Sequence, residues 1–206
     1  MGAVAGVLLA AGTSSRLGRP KQLLTYNGQT LVRRVAEIGV AAGLDPLVVV
    51  VGAAAEAIQR ELAGLPLQVV RNPRYAEGQS TSVRAGLAAL PPDAAAVVML
   101  LVDMPAVDAD VIRAVIAEWR ASGAPLVRPA FHGRPGNPVL FDARVFPELA
   151  AVEGDEGGRS LLRRHAAEVR LVPTEQPGVL QDVDTWEGYR RLLAGERDEA
   201  TPGQRR

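Results

Sequence analysis

A run of small, hydroxylic and cationic residues follows the first apolar stretch of the chain: Leu8-Leu9-Ala10-Ala11-Gly12-Thr13-Ser14-Ser15-Arg16-Leu17-Gly18-Arg19-Pro20-Lys21. Gly12 has no Cβ, so its backbone can approach a ligand closely. Successive backbone N–H groups in such a turn form an anion-binding concavity. Arg16 and Lys21 add full positive charge beside it, and polyphosphate is the ligand this chemistry suits best. The spacing is not that of a Walker A loop, where four residues separate a glycine from Gly-Lys-Ser/Thr and a helix runs on through the lysine. Here Pro20 precedes Lys21 and disfavours helix in the residue before it. Gly-x-Gly-x-x-Gly is absent as well. The plain alternative is a glycine-rich surface loop with two solvated cations. Lys21 weighs against it, because it is the chain's one lysine against a background of arginine. A flexible point-charge ammonium, rather than a planar guanidinium, is what phosphate loops often use.

Carboxylates come next. Asp103-Met104-Pro105 follows a long apolar run, Ala94 to Val102. Mg²⁺ is usually held by one or two carboxylates plus substrate phosphates, so Asp103 is the first candidate metal ligand. Its alternative role is an N-cap for the following helix. Asp182 and Asp184 flank Val183, and in an extended segment both point to one face; Asp184-Thr185 reads equally well as a helix cap. Gly78-Gln79-Ser80-Thr81-Ser82 carries amide and hydroxyl groups suited to a base edge or ribose, and also reads as an ordinary helix start. His132 and His165 are the only histidines, and His165, beside Arg163 and Arg164, is expected to be solvated. No Ser-His-Asp set or histidine metal cluster can be assembled. Phosphate attacking phosphate needs no general base, so catalysis would reduce to positioning and charge stabilisation.

The elements that must position these residues alternate. Ala3 to Ala10 reads as a strand. Thr30 reads as the N-cap of a helix with Leu31, Val35, Ile38 and Ala42 at helical spacing, stopped by Gly43. Pro46 to Val51 is a strand buried on both faces, Ala54 to Ala63 a helix and Leu67 to Arg71 a third strand. A polar loop, 72–82, leads to a helix from about Val83 to Leu90. The strand Ala94 to Val102, the helix Val107 to Ala121 and a short strand, Leu126 to Pro129, follow. This is an α/β, parallel, doubly wound pattern. Its ligand belongs beyond the carboxyl ends of the strands, where strand order reverses. An order beginning 3-2-1-4 sets Arg16 and Lys21 opposite Asp103. Beyond it, Phe131 to Pro138 is too rich in Gly and Pro for an element. Short elements are expected at Val139 to Phe141, Ala143 to Ala150, Ser160 to His165, Val169 to Val172 and Trp186 to Leu193.

The 206 residues are 48% hydrophobic and 22% charged, with zero net charge and no cysteine. They suit one domain, 1–194, followed by a disordered tail, 195–206. Disulfides, thiolate metal sites and a cysteine nucleophile are excluded. Nothing suggests nucleic-acid or membrane binding. With no signal peptide and no apolar span, the expected location is cytoplasmic.

The loop 9–21 resembles the signature loop of the MobA-like nucleotidyltransferases. Gly78 to Ser82, Asp103-Met104-Pro105, His132 to Pro138, Gly154-Asp155-Glu156-Gly157-Gly158-Arg159 and Asp182-Val183-Asp184-Thr185 follow in family order. Within the family the resemblance is greatest to the molybdenum cofactor cytidylyltransferase branch. It implies a three-layer, Rossmann-like, GT-A-like fold with a mostly parallel sheet. It also implies a reaction: the terminal phosphate of molybdenum-bearing molybdopterin attacks the α-phosphorus of an NTP and pyrophosphate leaves. Leu9, Ala10, Ala11, Gly12, Arg16 and Lys21 would hold the nucleotide, with Gln79, Ser80 and Ser82 near base and ribose. Arg16, Lys21 and Asp103 would be catalytic, and Asp103 and Asp184 would hold Mg²⁺. Arg134, Asn137, Asp155, Gly157, Gly158 and Arg159 would line the acceptor side, residues 131–159. Ala10-Ala11-Gly12 favours CTP, because the guanylyl branch tends to have two glycines there. A client molybdoenzyme is a further implied partner. Two departures stand out: Met104 where the cytidylyl branch often has Gln, and Trp186-Glu187-Gly188 in place of Pro-Glu-Asp. Two rival readings stay open. One is a guanylyl- or other nucleotidyltransferase with a different acceptor, such as a sugar phosphate. The other is a non-catalytic nucleotide-binding or cofactor-delivery protein.

Overall fold

The structure, a computed structural model, describes residues 2–195. Strand β1 (Val4–Ala10) is followed by a small antiparallel ribbon, β2 (Thr25–Tyr26) and β3 (Gln29–Thr30). Then come α1 (Leu31–Ala41), β4 (Leu47–Val51), α2 (Ala55–Glu61), β5 (Gln68–Arg71), α3 (Gln79–Ala88), β6 (Ala96–Leu101) and α4 (Ala109–Ser122). The rest of the chain forms β7 (Leu126–Phe131), β8 (Arg134–Pro135), β9 (Val139–Asp142), α5 (Phe146–Ala150), α6 (Arg159–Arg164), β10 (Val169–Thr174) and α7 (Trp186–Ala194).

One sheet runs β10-β7-β9-β6-β1-β4-β5, with β8 paired to β7. The first four strands of the doubly wound half thus stand in the expected order, 3-2-1-4. β1 pairs in parallel with β4 on one side and β6 on the other. Both faces of β1 are covered, which is why its sequence is apolar without alternation. Leu8 and Ala10 enter the core beneath α1 and α4, while Val7 and Leu9 enter the core beneath α3 and α5. The result is a three-layer α/β molecule with a mostly parallel sheet. Helix α3 lies close on β1, because residue 86 is glycine: a Cβ there would sit 2.5 Å from Val7 Cγ1.

Four features differ from the sequence expectation. Helix α3 begins at Gln79, four residues before the apolar periodicity starts, so part of the expected polar loop is its first turn. The segment 131–138 contains a short strand, β8, folded back on β7. Strand β9 is antiparallel to both neighbours, β6 and β7. Thr30 stands at the N-cap of α1 but its hydroxyl donates to Glu61 Oε2, 3.0 Å, instead of capping. Gly195 closes α7 with φ 68°; the rest of the expected disordered tail, 196–206, lies outside the described residues. No described helix is long and apolar enough to cross a membrane.

Candidate functional site

β1 ends at Ala10, and the loop that follows is held from beneath by Gln22. This side chain is fully buried; its amide donates to Ala10 O at 3.0 Å and to Gly12 O at 2.8 Å. Ser14 Oγ accepts from the Lys21 backbone N–H, 3.0 Å, closing the loop into a ring. The ammonium of Lys21 then reaches across the carboxyl ends of the strands. It donates to Asp103 Oδ2 at 2.6 Å and to Asp184 Oδ1 at 2.7 Å. Arg16 Nη1 reaches the other oxygen of Asp184, 3.3 Å, from an exposed position. The backbone ties the two carboxylates together, because Val183 N–H donates to Asp103 O at 2.9 Å. Topology brings residues 82 and 163 positions apart onto one cation.

Neither aspartate is a helix cap. Asp108 caps α4, accepting from Val111 N–H, and Thr185 caps α7, accepting from Gly188 N–H. Burial alone would lower the Lys21 pKa, yet Asp103 and Asp184 hold it above its ordinary value. The Lys21 hydrogen bond, against some desolvation, holds the Asp184 carboxyl below its usual range. Both groups are therefore charged at neutral pH. Asp103 Oδ1 is buried and has no hydrogen-bond partner. An orphaned buried carboxylate oxygen costs about 1–3 kcal/mol or more. With Asp184 alongside, this free oxygen suits a divalent cation, whose remaining positions fall to phosphate oxygens and water.

Two cavities open on this cluster, sharing Lys21, Asp103, Gln79, Leu101 and Asp155. The first, about 350 Å³, is walled by Leu9, Ala11, Gly12, Thr13, Tyr75, Gly78 and Ser82. The second, about 390 Å³, is walled by Pro135, Gly136, Asn137, Arg159, Val179 and Asp184. A recess of mixed character beside them is lined by Met99, Val139 and Phe141 together with Asn137, Glu156, Gly157, Gly158 and Arg159.

Most of the residues singled out in the sequence therefore come together. Leu9, Ala11, Gly12, Gln79 and Ser82 line the first cavity; Asn137, Asp155 and Arg159 line the second. Six line neither. Ala10 and Ser80 are buried, Arg134 stands exposed on β8, Gly157 and Gly158 line the neighbouring recess, and Arg16 meets the cluster only through its ion pair with Asp184. Met104 is 5% exposed and packs into the core beneath α1 and α4, its edge touching the second cavity. His165 is not simply solvated. Its ring nitrogens lie 2.8 Å from Glu168 and 3.1 Å from Glu148.

Sequence reasoning missed Gln22, Asn72 and Tyr75. Tyr75 lies against Gly52, where a Cβ would approach its ring carbon Cγ to 2.6 Å. It also missed how the loop 154–158 attaches. Ser80 N–H donates to Gly154 O, 3.0 Å, and Gln79 N–H to Asp155 Oδ1, 3.1 Å. Asp155 thus caps α3 from another part of the chain. Closeness there depends on glycine: a Cβ on residue 78 would stand 2.8 Å from Gly154 C.

Residues 6–169 match the model of the MobA-like NTP transferase domain. The chain belongs to that family. Among its relatives, the nicotine blue oxidoreductase of Paenarthrobacter nicotinovorans is 36% identical over 92% of this chain and 96% of its own length. The purine catabolism protein PucB of Bacillus subtilis is 30% identical over 89% and 93%. The crystal structure of Rv0371c from Mycobacterium tuberculosis superposes with a TM-score of 0.83 at 36% identity, covering 94% of this chain and 98% of that one. Rv0371c has also been solved in complex with manganese (TM-score 0.78, 34% identity, covering 94% and 98%). The molybdenum cofactor cytidylyltransferase of Escherichia coli is 26% identical over 68% of this chain and 70% of its own. The family is one of NTP transferases, and a divalent metal accompanies at least one member.

Proposed function

We propose that this protein transfers CMP from CTP to the terminal phosphate of molybdenum-bearing molybdopterin and releases pyrophosphate, as a cytoplasmic, Mg²⁺-dependent enzyme. The observation that carries the reading is the meeting of Lys21 with Asp103 and Asp184 where two cavities share a wall. One cavity suits the nucleotide and the other the phosphorylated acceptor. An acceptor phosphate oxygen forms a bond to the α-phosphorus, and the α–β phosphoanhydride bond breaks with its electrons on pyrophosphate. The nucleophile is already an anion, so the absence of a histidine base from the cluster is no obstacle. Gly12 offers backbone N–H to the triphosphate. Lys21, once it turns from the carboxylates, neutralises charge that develops on the leaving phosphates. Asp103 and Asp184 would hold Mg²⁺, which supplies further charge neutralisation when bound. Asn137 and Arg159 face the acceptor, and the Arg16 guanidinium guards the rim.

The molybdopterin and cytidylyl assignments rest on the motif resemblance and on the name of the Escherichia coli relative. The methyl of Ala11 supports the smaller base only weakly, since such steric differences are worth about 1–3 kcal/mol. A second reading has its own support: the relative named an oxidoreductase matches nearly the whole chain at 36% identity. The experiment is pyrophosphate release with Mg²⁺, molybdenum-loaded molybdopterin, and CTP or GTP in parallel, beside a control following oxidation of reduced nicotinamide dinucleotide. Release with CTP alone is expected. Release with GTP alone keeps the mechanism and overturns the base; cofactor oxidation without release overturns nucleotidyl transfer.

A further inference from the structure

Asn72 is a polar side chain only 3% exposed that the transfer reaction does not use. Its backbone N–H and both ends of its side-chain amide are engaged. Its backbone N–H donates to Val51 O, 2.8 Å. Its Oδ1 accepts from the Arg74 backbone N–H, 2.9 Å. A backbone N–H can only donate, so the amide cannot be turned over without setting donor against donor. The Nδ2 group is thereby aimed into the first turn of α3, where it donates to Thr81 Oγ1 at 2.8 Å and to Ser82 Oγ at 3.0 Å.

The two hydroxyls differ in what they do next. Thr81 has carbonyl acceptors for its own proton, Gly78 O at 2.9 Å and Arg74 O at 3.0 Å. Ser82 has no such acceptor among the hydrogen bonds of the described residues, and it lines the first cavity with Ala11 and Tyr75. A hydroxyl that receives a fixed N–H on one side presents its proton elsewhere. The open direction for Ser82 is the cavity.

We infer that Asn72 is a positioning residue that makes Ser82 a hydrogen-bond donor into the cavity, so that the bound nucleobase must present an acceptor, a ring nitrogen or carbonyl oxygen, at that point. The inference rests on the reading of this cavity as the nucleotide site. Leu9, Ala11, Tyr75 and Ser82 form an uncharged wall suited to a nucleoside, set against the charges of Lys21 and Asp103. Asn72 touches no ligand; it acts through Ser82.

Binding of CTP and of tripolyphosphate is measured with Mg²⁺ for the wild type, Asn72→Asp, Ser82→Ala and the double variant, with GTP binding to the wild type and thermal unfolding of each. A carboxylate at 72 accepts from Ser82 and reverses its polarity. CTP binding is expected to weaken about tenfold in Asn72→Asp, the loss of roughly one well-formed hydrogen bond. Tripolyphosphate binding is expected to stay unchanged. In the Ser82→Ala background, Asn72→Asp should weaken CTP no further. Equal loss for CTP and tripolyphosphate, or an undiminished effect in the Ser82→Ala background, overturns the inference. If Asn72→Asp does not fold, Ser82→Ala alone decides, because unchanged CTP affinity there overturns it. A wild type that binds neither CTP nor GTP overturns the nucleotide reading itself and this inference with it.

Discussion

Lys21 stands between two carboxylates that repel one another, and its ammonium satisfies one oxygen of each. The remaining Asp103 oxygen is buried and unpartnered. That asymmetry separates two variants. Lys21→Ala removes the ammonium proposed to meet phosphate, and it is expected to weaken nucleotide binding about tenfold or more. Titration calorimetry with CTP and Mg²⁺ checks it; an unaltered affinity removes Lys21 from the phosphate site. Asp103→Asn keeps the shape and removes the charge, so nucleotide affinity should change little while turnover falls by roughly 10²-fold. Steady-state pyrophosphate release reads the second, and unchanged turnover takes Asp103 out of the machinery. At this scale the ionic residues were legible, because a lone lysine and an aspartate at a strand end are conspicuous by type and place. Gln22 and Asn72 were not. Amide side chains in polar stretches look solvated in sequence, and only the fold shows that each is buried and holds backbone groups or hydroxyls.

Helix α3 and the loop 154–158 form a joint between the two cavities. Asp155, from the loop, caps a helix that has no side-chain cap of its own. Asp155→Ala is expected to cost about 1 kcal/mol of stability, the ordinary value of a lost N-cap. The acceptor KM should rise more than the nucleotide KM, because the loop leads directly into α6, whose first residue, Arg159, lines the second cavity. An acceptor KM equal to wild type sinks the coupling. At the far end of α6, the hydrogen bonds that His165 donates to Glu168 and Glu148 raise its pKa above the ordinary value. The sign follows from linkage. The contribution is full below about pH 6.5, the unfolded value, and is lost as pH rises through the higher folded value. Protection factors at α6, with the intrinsic pH dependence of exchange divided out, should therefore fall across that window, and His165→Gln should abolish the fall; a pH-independent protection factor in the wild type counts against it. Elements were legible where periodicity was strong, as in β1, α1 and α4. The start of α3 was not, because Gln79 to Ser82 is polar. The direction of β9 was not either, since a short apolar run reads the same whichever way it enters a sheet.

Across the molecule, the order of the parallel strands followed from the alternation of elements, and that order located the site. The antiparallel entry of β9 and the ribbon of β2 and β3 did not, because only tertiary pairing specifies them. Ligands that bind the folded chain alone stabilise it by mass action. CTP and Mg²⁺ together are expected to raise the melting temperature more than the sum of each alone, with about 2.7 kcal/mol at a hundredfold excess over Kd. Additive shifts in a thermal scan would count against a shared site. The pairing of Lys21 with Asp184 spans 163 positions. At a synthesis rate of about 5–20 residues per second, roughly 8–33 s separate the two residues on the ribosome. During that interval the emerging chain carries the loop 12–21, and Asp103 for part of it, without Asp184. On the proposed reading, competence for transfer arrives only when the segment after β10 closes against Asp103, so an unfinished chain would not turn over nucleotide.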